Sequence, residues 1–406
     1  MREGWTYKKL GECFPYIKNG ANIKQIKDAK GYPITRIETL SGGVFNRDRM
    51  GYADIFDINK FQDYLIEDGD LLMSHINSKT YIGRTVKYIS KNNEKIIHGM
   101  NLLRLKSNES LILSSFFKFY TDSWHFKTDI ARIRKDAVNQ SSFAISDLKN
   151  FRIPLPSLSE QQAIVSELDK INELISLKKA QLSDVDALAQ SIFYDMFGDP
   201  IENEKGWEVK NFGALCLKIA NGYNAKLEED TYKSEGIMYF RCQNVWRNRF
   251  DYSDLVYIDE ETNKKMKSSS LKHNDFLITK IGRINTENSS LGRISLYEGE
   301  DNKANLSGNL CFARLKNNIA NHKFILYILI SNRFRDYIRR TTVGGIDKRA
   351  LNVKQISSFP IILPPLSLQQ EFAKRIELIE QQKAQISSTI KDLETLLASR
   401  MQYWFD

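Results

Sequence analysis

Histidine and cysteine are scarce in this chain, with five and four among 406 residues. Cys13, Cys216, Cys242 and Cys311 are scattered, form no Cys-x-x-Cys pair and have no histidines beside them at ligand spacing. No bound metal is expected, and the thiols read as ordinary reduced residues of a cytoplasmic protein. No run approaches 18 uninterrupted apolar residues, and Met1 to Trp5 opens no apolar leader. Neither a membrane span nor a signal peptide is expected, and no membrane partner. Glycine-rich phosphate loops are absent too: there is no GxGxxG and no GxxxxGK[ST], so no dinucleotide or ATP site is written here. Among eight prolines the one Pro-Pro pair, Pro364-Pro365, lies between leucines. It lacks the Asp/Asn-Pro-Pro-aromatic loop of an adenine methyltransferase. The nearest approach to a nuclease constellation is Asp275 with Lys280, and the matching Asp70 is followed by His75 where a lysine would be needed. No catalytic residue is assigned, and the chain is expected not to be an enzyme.

What the chain has is a duplication. Ile153-Pro154-Leu155-Pro156-Ser157-Leu158-Ser159-Glu160-Gln161-Gln162 returns as Ile361-Ile362-Leu363-Pro364-Pro365-Leu366-Ser367-Leu368-Gln369-Gln370, at an offset of 208. Gly4-Trp5 answers Gly206-Trp207, and Gly31-Tyr32-Pro33-Ile34-Thr35-Arg36 answers Gly236-Ile237-Met238-Tyr239-Phe240-Arg241. Gly69-Asp70-Leu71-Leu72-Met73-Ser74 matches Asn274-Asp275-Phe276-Leu277-Ile278-Thr279. Gly83-Arg84 matches Gly292-Arg293, and Arg104-Leu105-Lys106 matches Arg314-Leu315-Lys316. A period near 200 residues is far too long for a solenoid and denotes domain duplication.

After each proline motif comes a run with a coiled-coil seam. The first is Ile164, Leu168, Ile171, Ile175, Lys178, Leu182, Val185, Ala189, Ile192 and Met196. The second is Phe372, Ile376, Ile379, Lys383, Ile386, Ile390, Leu393, Leu397, Arg400 and Trp404. Steps of four and three alternate throughout, as in a heptad a/d seam. Each run of about 38 residues would be roughly 57 Å long as a helix. Ser159 with Gln162 and Ser367 with Gln370 suggest capping boxes at the two starts. A long helix with a narrow seam wants a partner helix, and the other copy is the obvious one. Running antiparallel about a pseudo-twofold, the pair would act as a spacer between two lobes. The expected architecture is α+β, with two α/β domains joined by two long helices in an antiparallel coiled coil. The expected segments are a first domain 1–152, a proline turn and helix 153–200, a second domain 201–360, and a second turn and helix 361–406.

The formal net charge is +9, but residues 160–197 sum to −4 and residues 368–406 to −1, leaving +14 on the rest. A positive field concentrated on two globular modules suits a polyanionic partner. Short strands are expected at Pro33–Thr39, Leu71–Ser74, Thr85–Ile89 and Leu102–Leu105 and at their repeats. Helices are expected around Ser115–Ile133 and Lys323–Arg340, their aromatics in the core, and Trp5 and Trp207 are expected as core anchors. The polar and basic loop residues are the candidate DNA contacts. In the first module these are Lys18, Asn19, Lys24, Lys27, Arg36, Asn77 with Ser78 and Lys79, Arg132, Arg134, Lys135, Asn139 and Gln140. In the second they are Lys226, Arg241, Gln243, Asn244, Arg247, Arg249, Lys280, Arg283, Lys348 and Arg349. Lys and Arg suit phosphates, while Arg, Asn and Gln carry the bidentate donors that discriminate bases in the major groove. For any single one, a solvated surface charge is the competing reading. Gln140-Ser141 aligns with Lys348-Arg349, so polar loops recur in register with changed letters, as two different half-sites require. Arg36 and Arg241 are identical in both copies and fit a phosphate contact or a structural ion pair instead.

In this order the motifs resemble the specificity subunits of type I restriction-modification systems, over essentially the whole chain. The resemblance implies two target recognition domains, each reading one part of a bipartite, asymmetric site on double-stranded DNA, with the helices setting the spacing. It further implies that the helices dock two modification (methyltransferase) subunits, and that restriction subunits complete the assembly. S-adenosylmethionine, ATP and magnesium would then belong to those partners, with no cofactor in this chain. Leu368 in place of Glu160, and Asn274 in place of Gly69, are small departures from the pattern. The alternative is a non-catalytic coiled-coil scaffold whose lobes bind proteins rather than DNA.

Overall fold

The computed structural model describes all residues except 1–3, 139, 225, 226, 229, 230, 284, 285, 287 and 346. The chain forms two compact units, residues 1–179 with 388–406 and residues 180–387, so each unit holds half of each long helix.

In the first unit the central sheet has four antiparallel strands in the order Tyr16–Asn19, Leu102–Lys106, Leu71–Ser74 and Thr85–Lys87. The second unit repeats it as Cys216–Asn221, Leu310–Leu315, Phe276–Thr279 and Ile294–Leu296. The Asp of the repeated Gly/Asn-Asp-hydrophobic motif welds this sheet. Asp70 accepts the backbone N–H of Glu67 at 2.6 Å and pairs with Arg104 Nε at 2.6 Å on the neighbouring strand. Asp275 accepts from Lys272 N at 2.7 Å and takes Arg314 through two bonds of 2.8 and 2.7 Å. The residue before each Asp is left-handed, with φ of 84° at Gly69 and 68° at Asn274. Asparagine is among the few other residues that adopt this conformation readily, so the Gly-to-Asn difference leaves the turn unchanged.

The strand expected at Pro33–Thr39 is reduced to isolated bridges at Ile34, followed by a 3-10 turn over Ile37–Gly43. Pro33 has no N–H to donate, and Thr39 Oγ1 accepts from Arg36 N at 2.8 Å, which starts the turn. Its repeat does form a strand, Ile237–Phe240, between Val256–Ile258 and Ala304–Leu306. Each helix expected as one piece is two: Ser114–Asp122 and Trp124–Ile133, then His322–Ile330 and Asn332–Thr341. Ser123 and Ser331 break them, because each hydroxyl caps the following helix by accepting from Phe126 N or Phe334 N at 3.2 Å. Phe116, Phe117, Phe119 and Tyr120 are buried as expected, but Trp124 is exposed. Trp5 and Trp207 are only partly buried, and they are held by indole N–H bonds to Glu160 Oε1 and to the Phe197 carbonyl.

The long helices span Leu158–Phe197 and Leu366–Phe405. The first is capped by Ser157, whose Oγ accepts from Glu160 N at 3.2 Å, and not by Ser159, which is already in the helix. The second has Pro365 at the same place, with no hydroxyl to offer, and Leu368 and Gln369 donate to its carbonyl. The repeated glutamine docks each helix on its own unit. Gln161 is fully buried, donates to the Pro156 and Leu111 carbonyls and accepts from Leu113 N. Gln369 donates to the Pro364 carbonyl and accepts from Asn321 N.

Within each unit the helix halves run antiparallel. In the first, Ile164 and Leu168 join Phe405 in the core, and Glu167 accepts from Arg400 and from Trp404 Nε1. In the second, Lys383 pairs with Asp186, and Phe193 and Phe197 pack on Phe372 and Phe324. The seam lysine Lys383 is thus neutralised, and Lys178 is partly buried. At the end of the first helix the buried positions move from Ile192 and Met196 to Phe193 and Phe197. There the helix packs on its domain's aromatics as well as on the partner helix.

Arg400 holds the Glu167 carboxyl below the usual glutamate range. A depressed carboxylate contributes fully above the ordinary value of about 4.3 and loses that contribution as pH falls through the lowered value. The pair is about one-third exposed, so about 1 kcal/mol is its ceiling. Glu167→Gln should therefore cost up to about 1 kcal/mol at pH 7 and nothing at pH 2. Urea midpoints at the two pH values check this, and an equal loss at both would show that the charge plays no part.

Candidate nucleic-acid interface

Each unit carries a small three-stranded sheet built from distant segments. In the first, Ile76–Asn77 pairs with Ser141–Ser142, which pairs with Lys135–Asp136. In the second, Ile281–Arg283 pairs with Lys348–Ala350, which pairs with Val343–Gly344. These sheets gather the largest share of the sequence-predicted residues. Asn77, Lys79, Arg134, Lys135 and Gln140 meet in one unit, and Lys280, Arg283, Lys348 and Arg349 in the other.

Inside each sheet the roles separate. Asp136 is the hub of the first: Ser141 Oγ donates to it at 2.6 Å, Lys79 Nζ lies 3.1 Å away and Arg134 Nε 2.7 Å away. These donors, Ser141 first, hold its carboxyl at about 2. Lys135 and Gln140 are exposed beside it. In the second sheet Lys348 is exposed, and Arg283 is exposed with Asp347 at 3.3 Å. Arg349 turns inward and donates to the carbonyls of Arg339 at 2.9 Å and Thr342 at 3.4 Å, so it ties the sheet to the helix behind it. Lys280 is half-buried, donates to Asn221 Oδ1 at 2.8 Å, and has its pKa pushed down by burial.

The remaining candidates lie elsewhere. Lys18 and Asn19 are exposed on the sheet-edge strand, with Lys18 over the Tyr16 ring at 5.2 Å. Lys24 and Lys27 are exposed in the next loop. Arg132 is exposed and paired with Asp129 at 2.8 Å. Arg36 pairs with Glu38 and its repeat Arg241 with Asp254, each at 3.2 Å, which fits the structural alternative for this position. Gln243 donates to the same Asp254 at 3.1 Å. Asn244 is fully buried, accepts from Arg241 N and donates to Asp251 O and Asp254 Oδ1. It caps a turn exactly where Thr39 caps its repeat, and presents no edge to a ligand. Asn139 and Lys226 lie outside the described residues.

A second concentration of cations joins the predicted Arg247 and Arg249 to Arg293, Arg335 and Arg339, which sequence reasoning did not single out. Arg247 is half-buried, and its pKa is pushed down to about 10 by burial and then by Arg335, Arg339 and Arg293. Two guanidinium groups lie over the Trp246 ring, Arg293 at 3.7 Å and Arg249 at 4.7 Å from its centre. In the first unit a cleft of about 600 Å³ is lined by Lys79, Arg84, Lys118, Lys127 and Arg134. The repeated Gly-Arg dipeptide was the available signal. The helical cations Lys127 and Arg335 were hidden inside segments read as core.

Among the described residues no helix is long and apolar enough to cross a membrane. Comparison with known proteins agrees with this doubly built scaffold. The putative type I restriction enzyme MjaX specificity subunit of Methanocaldococcus jannaschii is 28% identical over 97% of this chain and 93% of its own length. The StySPI specificity subunit of Salmonella potsdam is 22% identical over 93% of this chain and 82% of its own length. Among solved structures, the type I restriction-modification S subunit of M. genitalium superposes with a TM-score of 0.55 at 15% identity, covering 99% of this chain and 96% of that one. A chain from a type I R-M complex-assembly study gives 0.57 at 16% identity, covering 100% and 98%. The family model for the type I restriction modification DNA specificity domain matches twice, over residues 2–186 and 204–395. With that domain spanning nearly its whole length in two copies, the chain belongs to the specificity subunits of type I restriction-modification systems.

Proposed function

We propose that each unit's recognition domain, within 1–152 and 201–360, reads one part of a bipartite, asymmetric site on double-stranded DNA. The observation that carries this is the pair of three-stranded sheets. The same backbone is built twice, with Asn77 and Gln140 on one copy and Arg283 and Lys348 on the other. A common scaffold with different hydrogen-bonding letters is what two different half-sites require. In this reading the chain is non-catalytic and works in the cytoplasm. The proline turns and helices 153–200 and 361–406 set the spacing between the parts and dock two methyltransferase subunits, and restriction subunits join the complete assembly.

The test is sequence-resolved adenine methylation in cells carrying this chain and its methyltransferase, against deletion of this chain alone. Loss of one bipartite methylated motif is expected. An unchanged methylome would sink the reading in favour of a protein-binding scaffold. In the same assay, removing one heptad from both helices together should alter the spacer and leave the half-site letters intact.

A further inference from the structure

Across most of their length the two copies share few letters, yet one arrangement returns in three dimensions. Gly83 and Gly292 both have left-handed backbones, with φ of 79° and 66°. A Cβ on Gly83 would meet Ile130 at 3.1 Å, and one on Gly292 would meet Ile338 at 3.0 Å. The turn therefore rests on the same place on the same helix in each unit, and its left-handed backbone and close neighbour both favour glycine. The residue that follows is arginine both times, Arg84 and Arg293. Three positions before each isoleucine, on the same helical face, stands a cation: Lys127 in one copy and Arg335 in the other.

The local charge is positive at both places. In the first unit Arg84 and Lys127 line one cleft, where Asp122 is engaged by Lys118. In the second, Arg335 and Arg249 both act on Arg293, and Arg293 and Arg335 both act on Arg247. The nearby Asp336 is paired with Arg339 at 3.4 Å. Arg293 is 7% exposed, with Nε donating to Ser289 O at 3.0 Å, Nη2 to Asn288 O at 2.5 Å and its guanidinium over Trp246, so it fixes the turn. Like charges are thus brought together by the fold at the same place in each domain, the kind of surface that attracts anionic groups.

We infer that the Gly-Arg turn and the helix it rests on form a phosphate cradle, present once per recognition domain, in which Arg84 with Lys127 in one copy and Arg335 beside the buried Arg293 in the other hold DNA backbone phosphates without reading bases. The chemistry is the same in both domains because phosphates are the same at both half-sites, whereas the three-stranded sheets differ because the bases differ. The inference rests on the domains being DNA readers and assigns them a second, sequence-independent surface.

The test uses the full chain and duplex DNA of mixed sequence, with affinity followed against salt concentration. Each phosphate contact contributes about 0.9 to the slope of log K against log salt. Arg84→Gln with Lys127→Gln should lower that slope by about 1.8 and Arg335→Gln by about 0.9, while the methylated motif in cells stays the same. The single variant Lys127→Gln, expected to remove about 0.9, guards against misfolding. An unchanged slope in variants with native circular dichroism would overturn the cradle, and so would a changed motif. A wild-type chain that binds no duplex would overturn the DNA-reading function itself, and the cradle with it.

Discussion

Asp70→Ala should destabilise the first unit by about 3–5 kcal/mol, the cost of taking its buried, hydrogen-bonded partner from a buried charge. Arg104 is 2% exposed and cannot swing to water, and the carboxylate left to it, Glu67 at 3.2 Å, is itself 65% exposed. Removing Asp70 also frees the Glu67 N–H, so the turn before the strand loosens together with the ion pair. The repeat supplies an internal control. Asp275 is wholly buried, but its partner Arg314 keeps 20% of its side chain in solvent. Asp275→Ala should therefore cost less, because Arg314 can rehydrate in part. Urea unfolding of both variants measures the difference, and Asp70→Ala with Arg104→Met should recover a portion of the loss. A loss below about 1 kcal/mol at Asp70 would mean that Glu67 alone satisfies the buried guanidinium.

The second large effect is expected at Phe372. Its ring is fully buried at the start of the second long helix, 5.6 Å from Phe193, 5.4 Å from Phe197 and 5.3 Å from Tyr327. Three helical segments of the second unit meet on it, so the space left by truncation cannot close without moving one of them. Phe372→Ala should cost about 3–5 kcal/mol, and Phe372→Leu well under half of that because most of the volume is retained. Thermal or urea unfolding reads the difference. Equal losses for Ala and Leu would point to ring-edge geometry, not filled volume, as the source of the stability.

The duplication, the two long helices and their antiparallel pairing were legible because they rest on local, periodic signals: a proline stop, a glutamine pair and apolar steps of three and four. Legibility failed where meaning depends on a distant partner. Nothing near Asn244 tells that its amide faces Asp254 inside the fold, while Gln140 lies exposed. Arg349 and Lys348 are neighbours with opposite fates, one bonded to carbonyls on a helix, the other in solvent. The helix breaks at Ser123 and Ser331 went unread because the apolar rhythm continues through them. The serine at Ser157 was passed over for Ser159 because proline at Pro156 blurs where the first turn begins. Arg247 and Arg249 were legible as polar loop residues, but the cluster they join was not, because Arg293, Arg335 and Arg339 come from separate segments, each unexceptional by itself.

The division of the chain into units has a consequence for the order of synthesis. The second unit is one uninterrupted stretch, 180–387, and can close as soon as it has left the ribosome. The first waits for residues 388–406, among them Phe405, which enters the core beside Phe116 and Tyr120. The module translated first is therefore the one finished last. Until then it exposes an aromatic socket that a segment translated more than 200 residues later fills.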